Sequence, residues 1–204
     1  MECYRRNLPH WHPEGACLYK TWRLPGSLAG VFGDPSVAES SAGEIFRSWD
    51  ARLDRASCGP VWLDDPRLAA MVVDALKEGQ DQKSMYRLLA YVVMSNHVHV
   101  LLEPRSPVKK VTQWVKGVTA REANRLLARQ GSQFWQRESC DHWVRTESEG
   151  QRVVRYIEFN PVSAGRVKRA EDWPWSSGWK PAGDSFKRAQ AETCATELLR
   201  LRGT

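Results

Sequence analysis

The sequence has few of the features that mark secreted, disulfide-bonded or membrane-spanning proteins. It contains only five cysteines, an odd number with no C-x-x-C spacing: Cys3, Cys17, Cys58, Cys140 and Cys194. Neither a disulfide framework nor a cysteine zinc site is therefore predicted. The opening residues, MECYRRNLPHW, include no apolar signal-peptide core, and no run approaches the ~20 apolar residues of a membrane span. We expect a cytoplasmic protein with no membrane partner.

The size and charge of the chain limit the number of its domains and indicate the kind of partner it binds. Its 204 residues suffice for one domain with a real core but not for two typical ones. We expect a single domain over 1–178 and a polar tail, weakly helical or disordered, over 179–204. The net charge of +6 favours a polyanionic partner, although many basic proteins have none. The ten tryptophans suit either a core or base stacking.

The spacing of apolar residues and breakers predicts the secondary structure. The expected elements are: a strand at 16–24, a Gly, Pro and Ser-rich loop at 25–43, a helix at 44–56, a helix from 66 to 79, strands at 85–94 and 97–103 joined by a turn, and helices at 109–130 and 149–160. Asp65 and Gly79 are the expected cap and end of the second helix, and Pro161 is expected to end the last one. This order predicts an α+β fold of ferredoxin-like or RRM-like type, an antiparallel sheet with helices packed mainly on one face.

Two histidines stand in an otherwise apolar run, SNHVHVLLEP. Residues i and i+2 of a strand point to the same face, so His97 and His99 share a face opposite Val98 and Val100. They either face solvent at a sheet edge or form part of a site. A metal site requires at least one further ligand.

A candidate for that ligand lies near the end of the chain, in QRVVRYIEFNPVSAGRV. On the predicted helix, Tyr156 and Asn160 lie one turn apart beside an apolar stripe. Two imidazoles and an amide oxygen suit Mg²⁺ or Mn²⁺ with open positions for phosphate oxygens. A tyrosine hydroxyl, with a pKa near ~10, attacks a phosphodiester only when the phosphorus is polarised and held in line. Alternatively, Tyr156 is a core-edge tyrosine and Asn160 only ends the helix.

The chain resembles the single-tyrosine HUH transposases and, among them, the REP-associated tyrosine transposases of bacteria. The matching segments follow the order of that family from Arg5 to Ser177: RRNLPHWHPEGA, YVVMSNHVHVLLEP, VTQWVKGVTAREANRLL, FWQRESCDHWVR, RYIEFNPVSAGRV and EDWPWSS. The resemblance implies that His97, His99 and Asn160 bind a divalent metal, Mg²⁺ or Mn²⁺, and that Tyr156 is the nucleophile. It also implies a 5′-phosphotyrosine link to single-stranded DNA, with no nucleotide cofactor.

The resemblance further implies that the partner is single-stranded or hairpin DNA, which would place the protein at the nucleoid, and it allows a homodimer. His142 is a possible auxiliary group, but Asp141 and His142 also suit a structural hydrogen-bonding pair. Other residues are candidates for DNA contact, although solvation or packing explains them equally well: Lys109, Lys110, Lys116, Arg121, Arg125, Arg129, Trp173 and Trp175. Two rival functions remain open, a domesticated hairpin-binding protein that no longer transposes and a metal phosphodiesterase that uses water.

Overall fold

The computed structural model describes residues 17–28, 51–56 and 58–181. Within these ranges it contains four strands and three long helices. They are: β1 (Cys17–Arg23), α1 (Pro66–Asp81), β2 (Tyr86–Val93), β3 (His97–Pro104), α2 (Val108–Leu126), β4 (Ser139–Val144) and α3 (Glu147–Ser163). Residues 51–54 are also helical, and single 3₁₀ turns cover Trp62–Asp64 and Ala170–Asp172. None of the helices in these ranges is long and apolar enough to cross a membrane.

The four strands form one sheet in the order β2-β3-β1-β4, and every neighbouring pair is antiparallel. The first six elements follow the β-α-β-β-α-β order of a ferredoxin-like fold. The α+β prediction is confirmed. Because β1 and β3 are central, side chains on them are covered on both flanks by neighbouring strands.

The two faces of the sheet carry different side chains. Leu18, Trp22 and Val98 belong to the face that packs against α1 and α2, which we call the core face. Tyr19 and Leu101 point the other way, together with His99, and pack against Ile157 of α3. We call this second surface the histidine face. Two of the three long helices thus share one face, as predicted, and α3 covers part of the other.

The start of α1 agrees with the prediction, but its end does not. The Asp65 side chain accepts a hydrogen bond from the Arg67 N–H at 2.9 Å, and Pro66 occupies the first turn. The helix continues past Gly79 to Asp81. A Cβ atom at Gly79 would lie 2.2 Å from the Tyr86 hydroxyl, so this glycine is needed for the close approach of β2 and does not end the helix.

The ends of α2 and α3 also differ from the prediction. α2 ends at Leu126, before the expected Gln130, because Ala128 already has a left-handed φ of 52°. α3 runs to Ser163 and includes Pro161 in its last turn, so the predicted end at Asn160 is wrong. A proline there removes only one hydrogen bond of a helix that is about to stop.

Strand β4 was not predicted. Its sequence, SCDHWV, has polar residues on both faces, and it forms an edge of the sheet with several exposed side chains. Asp141 pairs with the almost fully buried Lys20 of β1. Such an edge strand has no apolar alternation to reveal it.

Some predicted elements fall outside the described residues. These are the loop at 29–43, most of the helix predicted at 44–56 and the tail from 182 onward. Of that helix, residues 51–54 are seen, and Leu53 is buried against Leu28. The predicted domain boundary at residue 178 stays a prediction.

Candidate active site on the histidine face

The histidine pair lies in the middle of the sheet. Both rings are fully buried, and their centroids are 4.7 Å apart. The register places Thr21 of β1 opposite His99 and Arg23 opposite His97. Because β3 is flanked by β2 and β1, the alternative that these histidines face solvent at a sheet edge is wrong. The prediction that they share a face is confirmed.

The tautomer of His97 follows from its neighbours. The Asn96 side chain donates from Nδ2 to the Leu53 carbonyl at 3.1 Å, so its Oδ1 faces His97 Nδ1, 2.7 Å away. An amide oxygen only accepts, and Nδ1 must therefore carry the proton. The lone pair of the neutral ring is then on Nε2, the atom that a metal would bind. This Nε2 is buried and makes no hydrogen bond with any described residue.

Two hydroxyl groups orient His99. Its Nδ1 lies 2.7 Å from Thr21 Oγ1 and 2.9 Å from Tyr19 Oη, both on β1. Ligating histidines usually use the second ring nitrogen for such a bond, which directs Nε2 toward the metal. Tyr19 also stacks on the His99 ring at a centroid distance of 5.7 Å. Tyr19 and Thr21, two residues apart on β1, therefore lie on the same face and together position the His99 ring of β3.

Both rings are neutral at neutral pH. Burial, with a smaller contribution from His99, lowers the pKa of His97 well below its usual range. Burial alone lowers the pKa of His99 to about 3. Neutral imidazole is the form that binds metal ions. The two histidines are therefore in the protonation state that a metal ion requires.

Tyr156 lies on α3, which packs against the sheet beside the histidine pair. Its ring meets His99 edge to face at a centroid distance of 5.9 Å, and Tyr19 in the same way at 6.4 Å. The fully buried Ile157 anchors the helix to the sheet, and the Thr146 side chain caps its first turn. The structure therefore brings together three of the four residues predicted for the site. The Tyr156 side chain is half-buried.

Asn160 lies one helical turn beyond Tyr156 and thus on the same side of α3. Its side chain is 2% exposed, and its Oδ1 makes no hydrogen bond in the described part of the chain. Buried polar atoms without partners are rare and costly. The unsatisfied Asn160 Oδ1 and His97 Nε2 therefore fit a divalent cation. Across the described ranges, no three His, Cys, Asp or Glu side chains form a metal-binding group, so an ion there would depend on the Asn160 amide.

Four residues of this site were not predicted to belong to it, and one of them is Asn96, which orients His97. Asp54 follows the buried Leu53, and its Oδ1 lies 3.5 Å from His97 Nε2. Nothing in the local sequence marks it, because the contact spans separate elements. Tyr19 and Thr21 are the other two. Polar hydroxyls at i and i+2 in a buried strand were the signal that would have revealed them.

Asp141 and His142 do not pair with each other, so that part of the prediction is wrong. As neighbours on β4 they point to opposite faces, and Asp141 binds Lys20 on the core face. His142 Nε2 lies 2.7 Å from Glu149 Oε1, and Glu149 also accepts the Arg145 N–H. These two contacts, the backbone one first, lower the pKa of Glu149. His142 thus braces the start of α3, and its auxiliary role stays a prediction.

The six basic residues predicted for DNA contact lie on or just after α2, which packs on the core face of the sheet, opposite Tyr156. Three of the six are engaged within the protein: Lys116 with the carbonyls of Gln136 and Arg137, Arg125 with Glu122, and Arg129 over the Trp62 ring. The other three are exposed: Lys109, Lys110 and Arg121. Their role in DNA contact stays a prediction.

Trp173 and Trp175 cover the edge of β2. Trp173 Nε1 donates to the Val93 carbonyl at 3.0 Å, and the Val93 N–H donates to the Trp175 carbonyl at 2.8 Å. Ser176 adds an isolated bridge to the same strand. These contacts support the packing alternative, since they close an edge that would otherwise be open to other strands. Base stacking by either ring stays untested.

Comparison with known proteins finds a family model that matches the part of the chain that carries most of this site. Residues 65–160 match the family model described as "Transposase IS200 like". This range begins at the cap of α1 and ends at Asn160, so it includes both histidines and Tyr156. It covers just under half of the chain.

Two bacterial proteins are similar over a comparable length. One is a putative REP-associated tyrosine transposase of Haemophilus influenzae, 27% identical over 104 residues. The other is the REP-associated tyrosine transposase of Escherichia coli, 27% identical over 95 residues. Each match covers 45% of this chain, and it spans 58% and 54% of the two relatives. The chain therefore spans little more than half the length of these relatives.

A solved structure has the same fold. It is a REP-associated tyrosine transposase bound to a REP hairpin, and it aligns with a TM-score of 0.52 and 18% identity over 89% of each chain. At this identity the likeness supports the fold. Residues 65–160 are therefore similar to the IS200-like transposases, and the predicted resemblance of the chain to the REP-associated tyrosine transposases is confirmed.

Proposed function

We propose that the protein is a DNA transposase that cleaves and rejoins single-stranded or hairpin DNA through a covalent link to Tyr156. The observation that carries the proposal is the contact of Tyr156 with the buried His99 ring, which in turn lies against His97. A tyrosine on a separate helix thus reaches one of two neighbouring neutral imidazoles on a central strand. The family match supports the same reading.

The proposed reaction exchanges one phosphoester for another. The Tyr156 oxygen forms a bond to phosphorus as its proton passes to solvent, and the bond from phosphorus to the 3′ oxygen breaks. The products are a 5′-phosphotyrosine and a DNA end whose 3′ oxygen takes up a proton as a hydroxyl. A 3′-hydroxyl of another strand reverses the step, so no nucleotide cofactor is needed.

The chain's own residues hold the reacting groups. His97, His99 and Asn160 would bind Mg²⁺ or Mn²⁺, and such an ion supplies Lewis-acid polarisation of the phosphate when bound. Asn96, Tyr19 and Thr21 fix the two rings, so their Nε2 atoms need no reorganisation during the reaction. Ile157 keeps α3, and with it Tyr156, against the sheet.

The proposed substrate is a hairpin from palindromic repeat elements. A relative of the same fold was solved with a REP hairpin, which supports this choice. We further propose action at the nucleoid in the cytoplasm, and a homodimer remains compatible with the family resemblance. The net charge of +6 favours a nucleic-acid partner in general.

The test is incubation of the protein with a labelled hairpin oligonucleotide that carries a single-stranded flank, with Mg²⁺ or Mn²⁺. We expect a protein–DNA adduct that survives denaturation and is absent in Tyr156→Phe. Tyr91→Phe, which alters a tyrosine of β2 outside the site, is the matched control and should form the adduct. Cleavage that persists in Tyr156→Phe would favour the water-using phosphodiesterase. Hairpin binding by the wild type without any adduct would favour the domesticated binding protein.

A further inference from the structure

The solvent side of α3 carries an exposed aromatic ring one helical turn beyond the second of two exposed arginines. Phe159 is 51% exposed, and it is one of three large hydrophobic side chains exposed in the described part of the chain. Arg152 and Arg155 are also exposed on the same helix. We call Arg152, Arg155 and Phe159 the α3 stripe. A single exposed hydrophobic side chain is common on protein surfaces, so the case for a binding surface depends on the groups beside it.

Helical geometry places the α3 stripe directly beside Tyr156. At 3.6 residues per turn, Arg152, Arg155 and Phe159 lie within about a quarter turn of Tyr156, all on one side of it. Ile157 lies on the opposite side and is buried against the sheet. A strand whose phosphate reaches Tyr156 must come from solvent. The α3 stripe is both exposed to solvent and adjacent to Tyr156, so an incoming strand would meet it.

The charge of the stripe is available for a ligand. Neither Arg152 nor Arg155 forms a salt bridge with a described residue, although Arg152 lies close enough to Glu149 to lower its pKa. Two of the three acidic side chains of α3 have partners outside the stripe: Glu149 binds His142, and Glu158 accepts a hydrogen bond from Ser177 Oγ at 3.0 Å. By contrast, three of the six basic residues predicted for DNA contact on or just after α2 already interact with other groups of the protein.

We propose that the α3 stripe binds the unpaired DNA next to the scissile phosphate, with one base stacked on Phe159 and backbone phosphates on Arg152 and Arg155. This proposal rests on the proposed function in one respect only, namely that the phosphate next to the stripe is the one that is cleaved. Positive charge next to an exposed ring suits a polyanion with open aromatic faces. Bases offer such faces when they are unpaired, and stacking on aromatic side chains is the general mode of single-strand recognition. Double-stranded DNA, whose bases are already stacked, gains nothing from Phe159.

The test measures binding without chemistry. In a Tyr156→Phe background, fluorescence anisotropy gives the Kd for a short unpaired oligonucleotide and for a blunt hairpin with no flank. We expect Phe159→Ala to weaken single-strand binding about tenfold and to leave blunt-hairpin binding unchanged. Arg155→Gln and Arg152→Gln should each lower the slope of log Kd against log salt by about 0.7. A structural role for these residues would not change that slope.

Matched controls lie on other parts of the surface. Val61→Ala removes another exposed hydrophobic group, and Arg105→Gln removes an exposed charge just after β3, at a residue not predicted to contact DNA. Both should retain the parent single-strand affinity and salt slope. Circular dichroism melting of each variant verifies that the surface changes leave the fold intact, as expected for exposed positions.

Several results would overturn the proposal. They are unchanged single-strand affinity in Phe159→Ala, an equal loss in the control variants, or no single-strand binding by the parent protein. Sedimentation that reports a dimer dissociated by Phe159→Ala would assign the stripe to a second copy of the chain instead. Absence of the covalent adduct in the protein with Tyr156 intact would remove the proposed reaction, yet a selective loss of single-strand binding in Phe159→Ala would still support the stripe.

Discussion

The core face and the histidine face of one sheet differ in the kind of buried polar groups that they carry. On the core face the buried Lys20 is matched by Asp141 on the neighbouring strand, and apolar side chains surround the pair. On the histidine face the buried His97 Nε2 and Asn160 Oδ1 have no hydrogen-bond partner among the described residues. Native proteins rarely retain such atoms. The core face also has one, Trp22 Nε1, but that group is a donor and cannot bind a cation. The two on the histidine face are acceptors on the side of the sheet that carries Tyr156, so this face fits a cation, whereas the Lys20–Asp141 pair joins two strands of the fold.

The largest effect on the fold is expected from the core face. Leu68 of α1 is fully buried in the cluster beneath both helices, so Leu68→Ala should lower the free energy of unfolding by about 3 kcal/mol. Adduct formation by the fraction that remains folded should be unchanged. Urea denaturation and an adduct assay normalised to folded protein measure the two quantities. A specific loss of adduct in the folded fraction would contradict the separation of the two faces.

The histidine face should show the reverse pattern. His99→Ala removes a fully buried imidazole whose hydrogen bonds orient it toward a metal, so we expect adduct formation to fall about a hundredfold or more. The increase in melting temperature on adding Mn²⁺ should also disappear, because ligand binding stabilises only a protein that binds the ligand. Melting in the presence of a chelator is the control. Retained Mn²⁺ stabilisation in His99→Ala would contradict the predicted ligand set.

The pH dependence of stability should come mainly from the histidine face. The pKa values of His97 and His99 are lowered in the folded protein, so the unfolded chain binds more protons below its own histidine pKa near ~6.5. Stability from this source is therefore complete above that pH and is lost as the pH falls from there toward about 3, the pKa of His99. The unfolding constant should rise up to roughly tenfold per pH unit for each histidine. Denaturation of wild type and His99→Gln at pH 7, 6 and 5 tests this; identical pH slopes would contradict it.

A smaller effect is expected from the hydroxyls of β1. Thr21→Val keeps the side-chain shape but removes the oxygen that lies 2.7 Å from His99 Nδ1. Tyr19 still contacts that nitrogen, so we expect Mn²⁺ affinity to fall only about tenfold, the lower end of such effects. Calorimetric titration with Mn²⁺ gives the affinity. Thr112→Val on α2, a matched change far from the site, should have none of this effect, and an equal loss in both variants would argue against orientation through Thr21.

The features that could be predicted from the sequence are those with a local pattern. The i, i+2 spacing of His97 and His99 and the helical spacing of Tyr156 and Asn160 each place two residues on a shared face, and the structure retains both placements. The cap of α1 was equally local, since Asp65 and Pro66 act within one turn. Such patterns are reliable because side-chain direction follows directly from backbone geometry.

The features that could not be predicted depend on tertiary contacts. Asp54 approaches His97 from a different element, and Gly79 is required by a tyrosine of the next strand. β4 has polar side chains on both faces because it is an edge strand. The helices beyond Gly79 and through Pro161 continue because packing on the sheet outweighs local breakers. None of these contacts leaves a periodic signal in the sequence.

The central claim is that Tyr156 itself becomes joined to DNA, and mass spectrometry of the digested adduct tests it most directly. The wild type is incubated with the flanked hairpin and a divalent metal, treated with nuclease and protease, and its peptides are sequenced. The account predicts a 5′-phosphonucleotide on Tyr156, in the peptide that follows Arg155. A nucleotide attached to another residue, such as Tyr19, or hairpin cleavage with no modified peptide would contradict it.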